Sequence, residues 1–305
     1  MKILLLAIVS CVLAEAAAGQ SSETPNRPES VPMSDPSSSK RSAEIVVPIA
    51  APVEAVWKAL TDADELVRWF PLEARVKPGA GGSIFTSWRN EYQWESPIAI
   101  WEPNHRLRVL WCPPDTPEPE QFGVDYHLRA EKDGTTVLRL VHSGFGAGPE
   151  WDEMYDGVSR GWDHMLWVLQ HYLERHRGEP RGVVYAGATI DEAQREAVWK
   201  RFFSKDGLFP DPPLAEAKAG RPFRLRLATG DEAVGTVRST LFGKDLNAKI
   251  ESLGDALLNV QIHRCKDGEG LKLQVTLSTF GLEPARLAKM QESWQAAVNR
   301  AAGLE

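Results

Sequence analysis

The sequence predicts an α+β protein with two copies of one unit, each an antiparallel sheet covered by a long C-terminal helix. Three observations predict this: apolar and polar residues alternate over long segments, an amphipathic segment follows them, and short motifs recur in the same order. The chain has 305 residues, of which 43% are hydrophobic and 25% charged. It is therefore long enough for two domains and too apolar to be disordered throughout.

The first copy spans residues 43–177. A β-rich segment at 43–49 leads into a helix that starts at residues 51–52, with proline tolerated in its first turn. After a second short helix at 62–70, the hydrophobic period changes to two over residues 72–143, which indicates strands. Apolar residues then recur at helical spacing over 151–176. A half-buried sheet needs a covering layer, and this last helix is the only element available.

An internal repeat defines the second copy, residues 182–303. Four matches in the same order, at nearly constant separation, indicate duplication: residues 54–58 and 196–200, 132–134 and 266–268, 143–146 and 278–281, and Trp162 and Trp294. The second copy is predicted to contain a strand at 183–185, a helix at 190–203 and a final helix at 284–301. Its other strands carry apolar faces that begin at Phe223, Leu246, Leu258 and Leu271.

The N-terminal segment has the layout of an export signal. Residues 1–18 combine a lysine, an apolar run too short to span a bilayer, and small residues at cleavage positions. Residues 19–42 are rich in serine and proline and are predicted to be a disordered linker. We expect a periplasmic or secreted protein with no integral membrane segment in the mature chain. If translation starts at Met33, the protein is cytoplasmic.

Composition and motifs exclude several classes of function. The formal net charge of −7 argues against a nucleic-acid partner. The three cysteines lie far apart and lack the spacing of a zinc site. His164, His171 and His176 follow one another at spacings that do not place three imidazoles on one helix face, so no metal site is predicted. No nucleophile motif, metalloprotease motif or phosphate loop is present, and we predict neither catalytic residues nor a cofactor.

His142 is the candidate polar group of a ligand site. It shares a strand face with Leu138 and Leu140, which is predicted to face the covering helix, and its counterpart in the second copy is Leu277. A titratable group in an apolar wall can orient a ligand or move a proton. The alternative is a histidine whose hydrogen bond is satisfied by a backbone carbonyl at the strand end.

Aromatic residues are concentrated in the first copy, which holds nine of the 11 tryptophans. Six aromatic residues are candidates for the wall of an apolar cavity: Trp69, Phe85, Trp94, Trp111, Tyr126 and Trp162. The alternative is that they only fill the core. Trp167 falls on the polar side of the long helix with Asp163 and Glu174, where an exposed tryptophan can mark a surface for a partner.

Several spaced motifs of the first copy resemble the SRPBCC superfamily. They are IVVPIAAPVEAVW at 45–57, LVRWF at 66–70, KPG at 77–79, SPIAIWEPNHRLRVLW at 96–111, TVLRLVHSGF at 136–145 and GW at 161–162. Within it they look most like the activator of heat shock protein 90 ATPase homologue, C-terminal-domain type. The resemblance implies tandem helix-grip (START-like) domains with an apolar cavity between sheet and helix. The second copy lacks the Arg-Trp-Phe and Trp-x-Pro elements and is degenerate.

The resemblance implies several functions, because members include lipid binders, cyclases and dehydratases, and chaperone-activating modules. We predict that the first copy binds a small hydrophobic or amphipathic ligand, with His142 and the six aromatic residues as its contacts. One alternative is a cyclase- or dehydratase-like enzyme that uses His142 as acid or base. Another is a co-chaperone-like activator of a heat-shock ATPase. Fold alone does not decide among them.

Overall fold

The structure is a computed structural model that describes residues 40–304, apart from 89–92, 112–121, 205–206, 209–217, 228 and 266–269. The predicted export signal and nearly all of the predicted linker lie outside the described residues. No helix in the described ranges is long and apolar enough to cross a membrane.

The elements of the first unit are β1 (Arg41–Ile49), α1 (Val53–Thr61), α2 (Ala63–Leu66), β2 (Glu73–Lys77), β3 (Ser83–Ser87), β4 (Gln93–Glu102), β5 (Arg106–Leu110), β6 (Gly123–Ala130), β7 (Thr136–Phe145) and α3 (Asp152–Arg175). Those of the second unit are β8 (Arg181–Ile190), α4 (Arg195–Phe202), β9 (Pro222–Arg226), β10 (Glu232–Leu241), β11 (Asp245–Ile250), β12 (Ala256–Arg264), β13 (Leu271–Phe280) and α5 (Pro284–Ala302).

The first sheet has seven strands in the order β1-β7-β6-β5-β4-β3-β2, and every neighbouring pair is antiparallel. Its apolar face packs on α3, whose residues Val158, Leu166 and Leu169 are fully buried in one core with Leu138 and Leu140. The alternation of the strands and the apolar stripe of the helix therefore meet as the sequence predicts.

The second sheet has six strands in the order β8-β13-β12-β11-β10-β9, the same order with one strand fewer. Leu258, Val260 and Leu277 lie in its core with Trp199 of α4 and Trp294 of α5, all fully buried or nearly so. The chain thus contains two helix-grip units, and the predicted α+β class is confirmed.

Two elements of the second unit differ from the prediction. The strand predicted at 183–185 runs over Arg181–Ile190, because all ten residues pair with β13. This pairing delays the following helix, which begins at Arg195 after a 3₁₀ turn. The sequence reading also missed β10, in which Gly235, Thr236 and the residues after Val237 interrupt a regular apolar alternation.

α3 lies between the two sheets. Its polar face, opposite the stripe that packs on its own sheet, contacts the second unit: Arg160 donates to Asp245 at 2.6 Å and Asp163 accepts from Arg238 at 2.9 Å. Trp167 lies under the Arg238 guanidinium, with 4.9 Å between the guanidinium carbon and the ring centroid. Trp167 and Asp163, which we expected on a face that marks a partner, therefore pack on the second unit of the same chain, whereas Glu174 accepts from the Ala50 backbone of the first unit.

We predict that Asp245→Asn lowers the free energy of unfolding by about 2 kcal/mol, because it removes the charge of a buried carboxylate that is paired across the two units. Arg160 retains Asp156 as a partner, which limits the loss. Denaturant unfolding measures the change. Arg224→Gln, which breaks an exposed pair with Glu232, is the control, and a change of about 0.5 kcal/mol or less is expected. Equal effects of the two substitutions would contradict the prediction.

Candidate functional site

A cavity of about 80 Å³ lies where the first unit meets the second sheet. One wall is formed by residues of the loop after α2, the segment just after β3, β4 and α3. The strands of the second unit form the other wall. From the first unit the lining comprises Trp69, Phe70, Leu72, Trp88, Trp94, Gly161, His164, Met165 and Val168; from the second, Arg181, Val183, Tyr185, Asn259, Gln261, Gln274, Thr276 and Ser278. One wall is mainly aromatic and the other mainly polar.

The aromatic wall is a continuous series of ring contacts. Trp69 stacks on Phe70 with 5.1 Å between ring centroids, Trp88 meets Phe70 edge-on at 5.1 Å, and Trp88 stacks on Trp94 at 5.1 Å. The Trp69 indole donates to the Ala59 carbonyl at 2.8 Å, which fixes this buried ring to the end of α1. Trp88 and Trp94 are only partly buried, so they present ring surface to the cavity.

The polar wall is the outer face of β8, β12 and β13. Along these strands aliphatic residues face the core of the second unit, so the alternate residues Asn259, Gln274 and Thr276 face α3 and the cavity. The Asn259 amide donates to Asn247 at 2.9 Å. The Tyr185 hydroxyl donates to Gln274 at 3.3 Å. These amides and hydroxyls are hydrogen-bond groups suited to orienting a polar ligand.

Arg181, the first residue of β8, brings a positive charge to this cavity. One terminal nitrogen donates to the carbonyls of Phe70 and Pro71 at 3.1 and 2.8 Å. The Nε atom is fully buried and has no hydrogen-bond partner in the described part of the chain. Burial lowers the pKa of the guanidinium to about 10, so it remains charged at neutral pH.

His164 of α3 also lines the cavity, and it is 3% exposed. Burial lowers the pKa of His164 to about 4, although the Asn247 side chain has the opposite effect because its hydrogen bond favours the charged form. The ring is therefore neutral at neutral pH. Its Nδ1 atom is buried without a partner among the described residues.

A wider groove of about 630 Å³ adjoins the cavity and is open to solvent. The two linings share Leu72, Arg181, Val183 and Tyr185, so Arg181 lies at the boundary between cavity and groove. Arg68 also lines the groove, and its guanidinium is paired with Glu65 at 2.9 Å.

The seven residues predicted from the sequence fall into three places. Trp69 and Trp94 line the cavity. Tyr126 and Trp162 lie in the adjacent core, where their rings are 6.0 Å apart, and Trp111 and His142 contact each other there at 5.2 Å. Phe85 points to the opposite face of the sheet, where the Arg75 guanidinium lies 3.7 Å from its ring centroid. The structure therefore does not bring Phe85 to the other six.

His142 is enclosed by aromatic rings rather than held by a strand-end carbonyl. The Trp162 indole donates to its Nδ1 at 2.9 Å, which leaves the proton of the neutral ring on Nε2. That Nε2 is buried without a partner in the described ranges, and Phe145 lies 5.1 Å from the ring. Burial lowers the pKa of His142 to about 3.

Sequence reasoning missed Phe70, Trp88, His164 and Arg181 as lining residues. Phe70 and Trp88 carried a signal, because both are aromatic and adjoin the elements that hold Trp69 and Trp94. His164 and Arg181 carried none, because they join the cavity only through the packing of the two units.

Two of the helix histidines do meet a third possible metal ligand. One possible ligand atom each of His171, His176 and Asp255 lies within 4.8 Å of the others. Asp255 comes from the second unit, so spacing along α3 does not reveal this cluster. Several of its groups already have partners: a His171 nitrogen lies 2.8 Å from the Asp255 carbonyl, and Lys249 pairs with the Asp255 carboxylate at 3.0 Å. His176 stacks on Phe280 at 4.3 Å, and its Nε2 atom is buried without a hydrogen-bond partner among the described residues.

The fold, with its long helix against an antiparallel sheet, is of the START-like helix-grip class. Residues 50–174, which make up most of the first unit, match the family described as Activator of Hsp90 ATPase homolog 1-like protein. No curated protein matches the chain.

Solved structures similar to this chain include single-unit and two-unit proteins. DynU16, from the dynemicin biosynthetic locus, is 18% identical with a TM-score of 0.38, and the match covers 86% of this chain and 97% of DynU16. BexL, a di-domain ARO/CYC from the BE-7585A biosynthetic pathway, is 14% identical with a TM-score of 0.39, over 86% of this chain and 98% of BexL. CalU16 from Micromonospora echinospora is 29% identical with a TM-score of 0.37, over 48% of this chain and 80% of CalU16.

We predict that acid destabilises the protein in part through His142. Its folded pKa of about 3 lies below the value near 6.5 of the unfolded chain, so only the unfolded state takes up a proton between these values. The contribution of neutral His142 to the free energy of unfolding is complete above pH 6.5 and is lost as the pH falls toward 3. About 2 kcal/mol of it is lost by pH 5.

His142→Gln retains an acceptor for the Trp162 indole and removes the titration. Denaturant unfolding at pH 7 and pH 5 should show a smaller loss of stability on acidification in this variant, by about 2 kcal/mol. An unchanged difference between the two pH values would contradict the assignment of a strongly lowered pKa to His142.

Proposed function

We propose that the protein binds a small hydrophobic or amphipathic ligand in the cavity between the two units. The observation that carries this proposal is the series of ring contacts from Trp69 to Trp94, which forms an aromatic wall opposite a polar one. Apolar cavities with a few convergent polar groups are the usual sites for small molecules. Of the residues predicted from sequence, Trp69 and Trp94 are the proposed contacts, joined by Phe70 and Trp88.

The size of the cavity limits what enters it. At about 80 Å³ it is roughly half the volume of an engineered cavity of about 150 Å³ that binds benzene. The side chains of Trp88 and Trp94, which line it, are only partly buried. We therefore propose that one small ring or short alkyl segment enters the cavity and that the rest of the ligand lies in the adjoining groove.

The enzyme alternative has less support. His142 is not part of the cavity lining, and with a pKa of about 3 it is a poor proton acceptor at neutral pH. Its Nδ1 lone pair is already used by the Trp162 indole. A role as a neutral, rigid part of the core behind the aromatic wall agrees better with these contacts.

We propose that the two units, with the predicted boundaries 43–177 and 182–303, arose by duplication and that the second does not bind a ligand in its interior. The common strand order supports the first part. The second is supported by an interior filled with aliphatic residues and by Trp199 and Trp294, both fully buried. In this proposal the second unit contributes its outer face to the site of the first.

We also propose that the protein is exported, on the basis of the layout of residues 1–18. N-terminal sequencing of protein from the native host is the test. A mature end shortly after Ala16 is expected, and a chain that begins at Met33 or keeps Met1 would contradict export by this signal.

Ligand binding is tested with N-phenyl-1-naphthylamine, a neutral dye whose emission rises in apolar surroundings. We expect saturable binding to the full chain, with energy transfer from tryptophan because three tryptophans line the cavity. Trp94→Ala should weaken binding about tenfold, because it removes one side of the stacked pair with Trp88.

Phe85→Ala is the matched control. Phe85 lies on β3, which neighbours the strand β4 that carries Trp94. In the strand register Phe85 is opposite Glu95, whereas Trp94 is opposite Thr86, so the Phe85 ring faces away from the cavity. Its removal should leave the affinity for the dye unchanged. Absence of saturable binding to the wild-type protein, or equal effects of the two substitutions, would refute the proposed site.

A further inference from the structure

We propose that Arg181 recognises a negatively charged group, so that the ligand is a small amphipathic anion held between the two units. This inference rests on the proposed function and adds the chemical class of the ligand. It assigns a binding residue to the second unit, whereas all seven ligand contacts predicted from the sequence lie in the first.

Arg181 brings a positive charge to the cavity without a countercharge from the described residues. No carboxylate in the described part of the chain pairs with Arg181, and burial alone accounts for the lowering of its pKa. The Nε side of its guanidinium is buried although the residue as a whole is partly exposed, and charges that lose hydration in proteins are normally paired. Arg68, which lines the same groove, shows the usual arrangement with its partner Glu65. The guanidinium of Arg181 thus retains the charge that an anion would neutralise.

Buried polar atoms without hydrogen-bond partners among the described residues lie on both sides of the cavity. The Nε atom of Arg181 and the Nδ1 atom of His164 are buried without partners among the described residues, and both residues belong to the same lining. Such atoms are rare in folded proteins and call for a bound molecule or water. Arg181 offers a donor, whereas the neutral ring of His164 has one acceptor nitrogen and can present it at Nδ1.

Arg181 is also well placed for an anion next to an apolar group. Its hydrogen bonds to the carbonyls of Phe70 and Pro71 hold the guanidinium beside the aromatic wall. Arg181 lines both the cavity and the groove. An anion bound to it therefore leaves the apolar part of the ligand free to contact Trp69 and Trp94. A carboxylate is the simplest group that matches the planar guanidinium.

The test compares 2-naphthoate with 2-naphthamide, which share the ring system and differ in charge. Each competes with N-phenyl-1-naphthylamine for the full-length protein, and we expect the anion to displace the dye at a concentration at least tenfold lower. In Arg181→Gln this preference should disappear while the affinity for the neutral dye is retained, which shows that the cavity is intact. Arg181→Lys should restore part of the preference.

Arg68→Gln is the control, because Arg68 lines the groove but is already neutralised, and it should leave the preference for the anion unchanged. Suppose that the dye binds. This inference is then wrong if wild-type protein does not prefer 2-naphthoate, if Arg181→Gln keeps the preference, or if Arg68→Gln abolishes it equally. In each of these cases the proposed function stands. If the dye does not bind, the proposed function itself fails.

Discussion

The position of α3 between two sheets is the constraint on which the rest of the structure depends. A helix of 24 residues with one apolar stripe can be covered by a single sheet, as the helix-grip fold requires. Here the opposite face is polar but is covered too, by the outer face of the second sheet. Polar groups that leave water must be paired, and the ion pairs of Arg160 with Asp245 and Asp163 with Arg238 meet this requirement.

The cavity is a consequence of the same packing. The polar outer face of β12 and β13 does not fit closely against the aromatic residues after α2 and around β4, and space remains between them. Its amphipathic character follows from its two sources, since each unit contributes the face that it would otherwise expose to water. A site formed in this way differs from the cavity between sheet and helix that the family resemblance implies. In the first unit, His142 and Trp162 are buried between sheet and helix and are hydrogen-bonded to each other.

The buried histidines show how strongly burial governs charge in this protein. His142 and His164 are both neutral at neutral pH because of desolvation, and no carboxylate in the described part of the chain forms an ion pair with either. Arg181 differs only because its intrinsic pKa is so high that burial cannot discharge it. The three residues therefore combine a rigid neutral core with one persistent positive charge at the boundary of the cavity.

The sequence by itself determined the two units, their sheets and their long helices, because hydrophobic periods of 2 and 3.6 residues report directly which faces are buried. It also selected Trp69 and Trp94 as candidate lining residues, since aromatic side chains commonly form the walls of ligand sites. Only the tertiary structure decided that His164 and Arg181 lie in one cavity and that Phe85 faces away from it. Polar residues such as Asn259 and Gln274 alternate as if they faced water, and no local pattern reveals that a second sheet of the same chain removes that water.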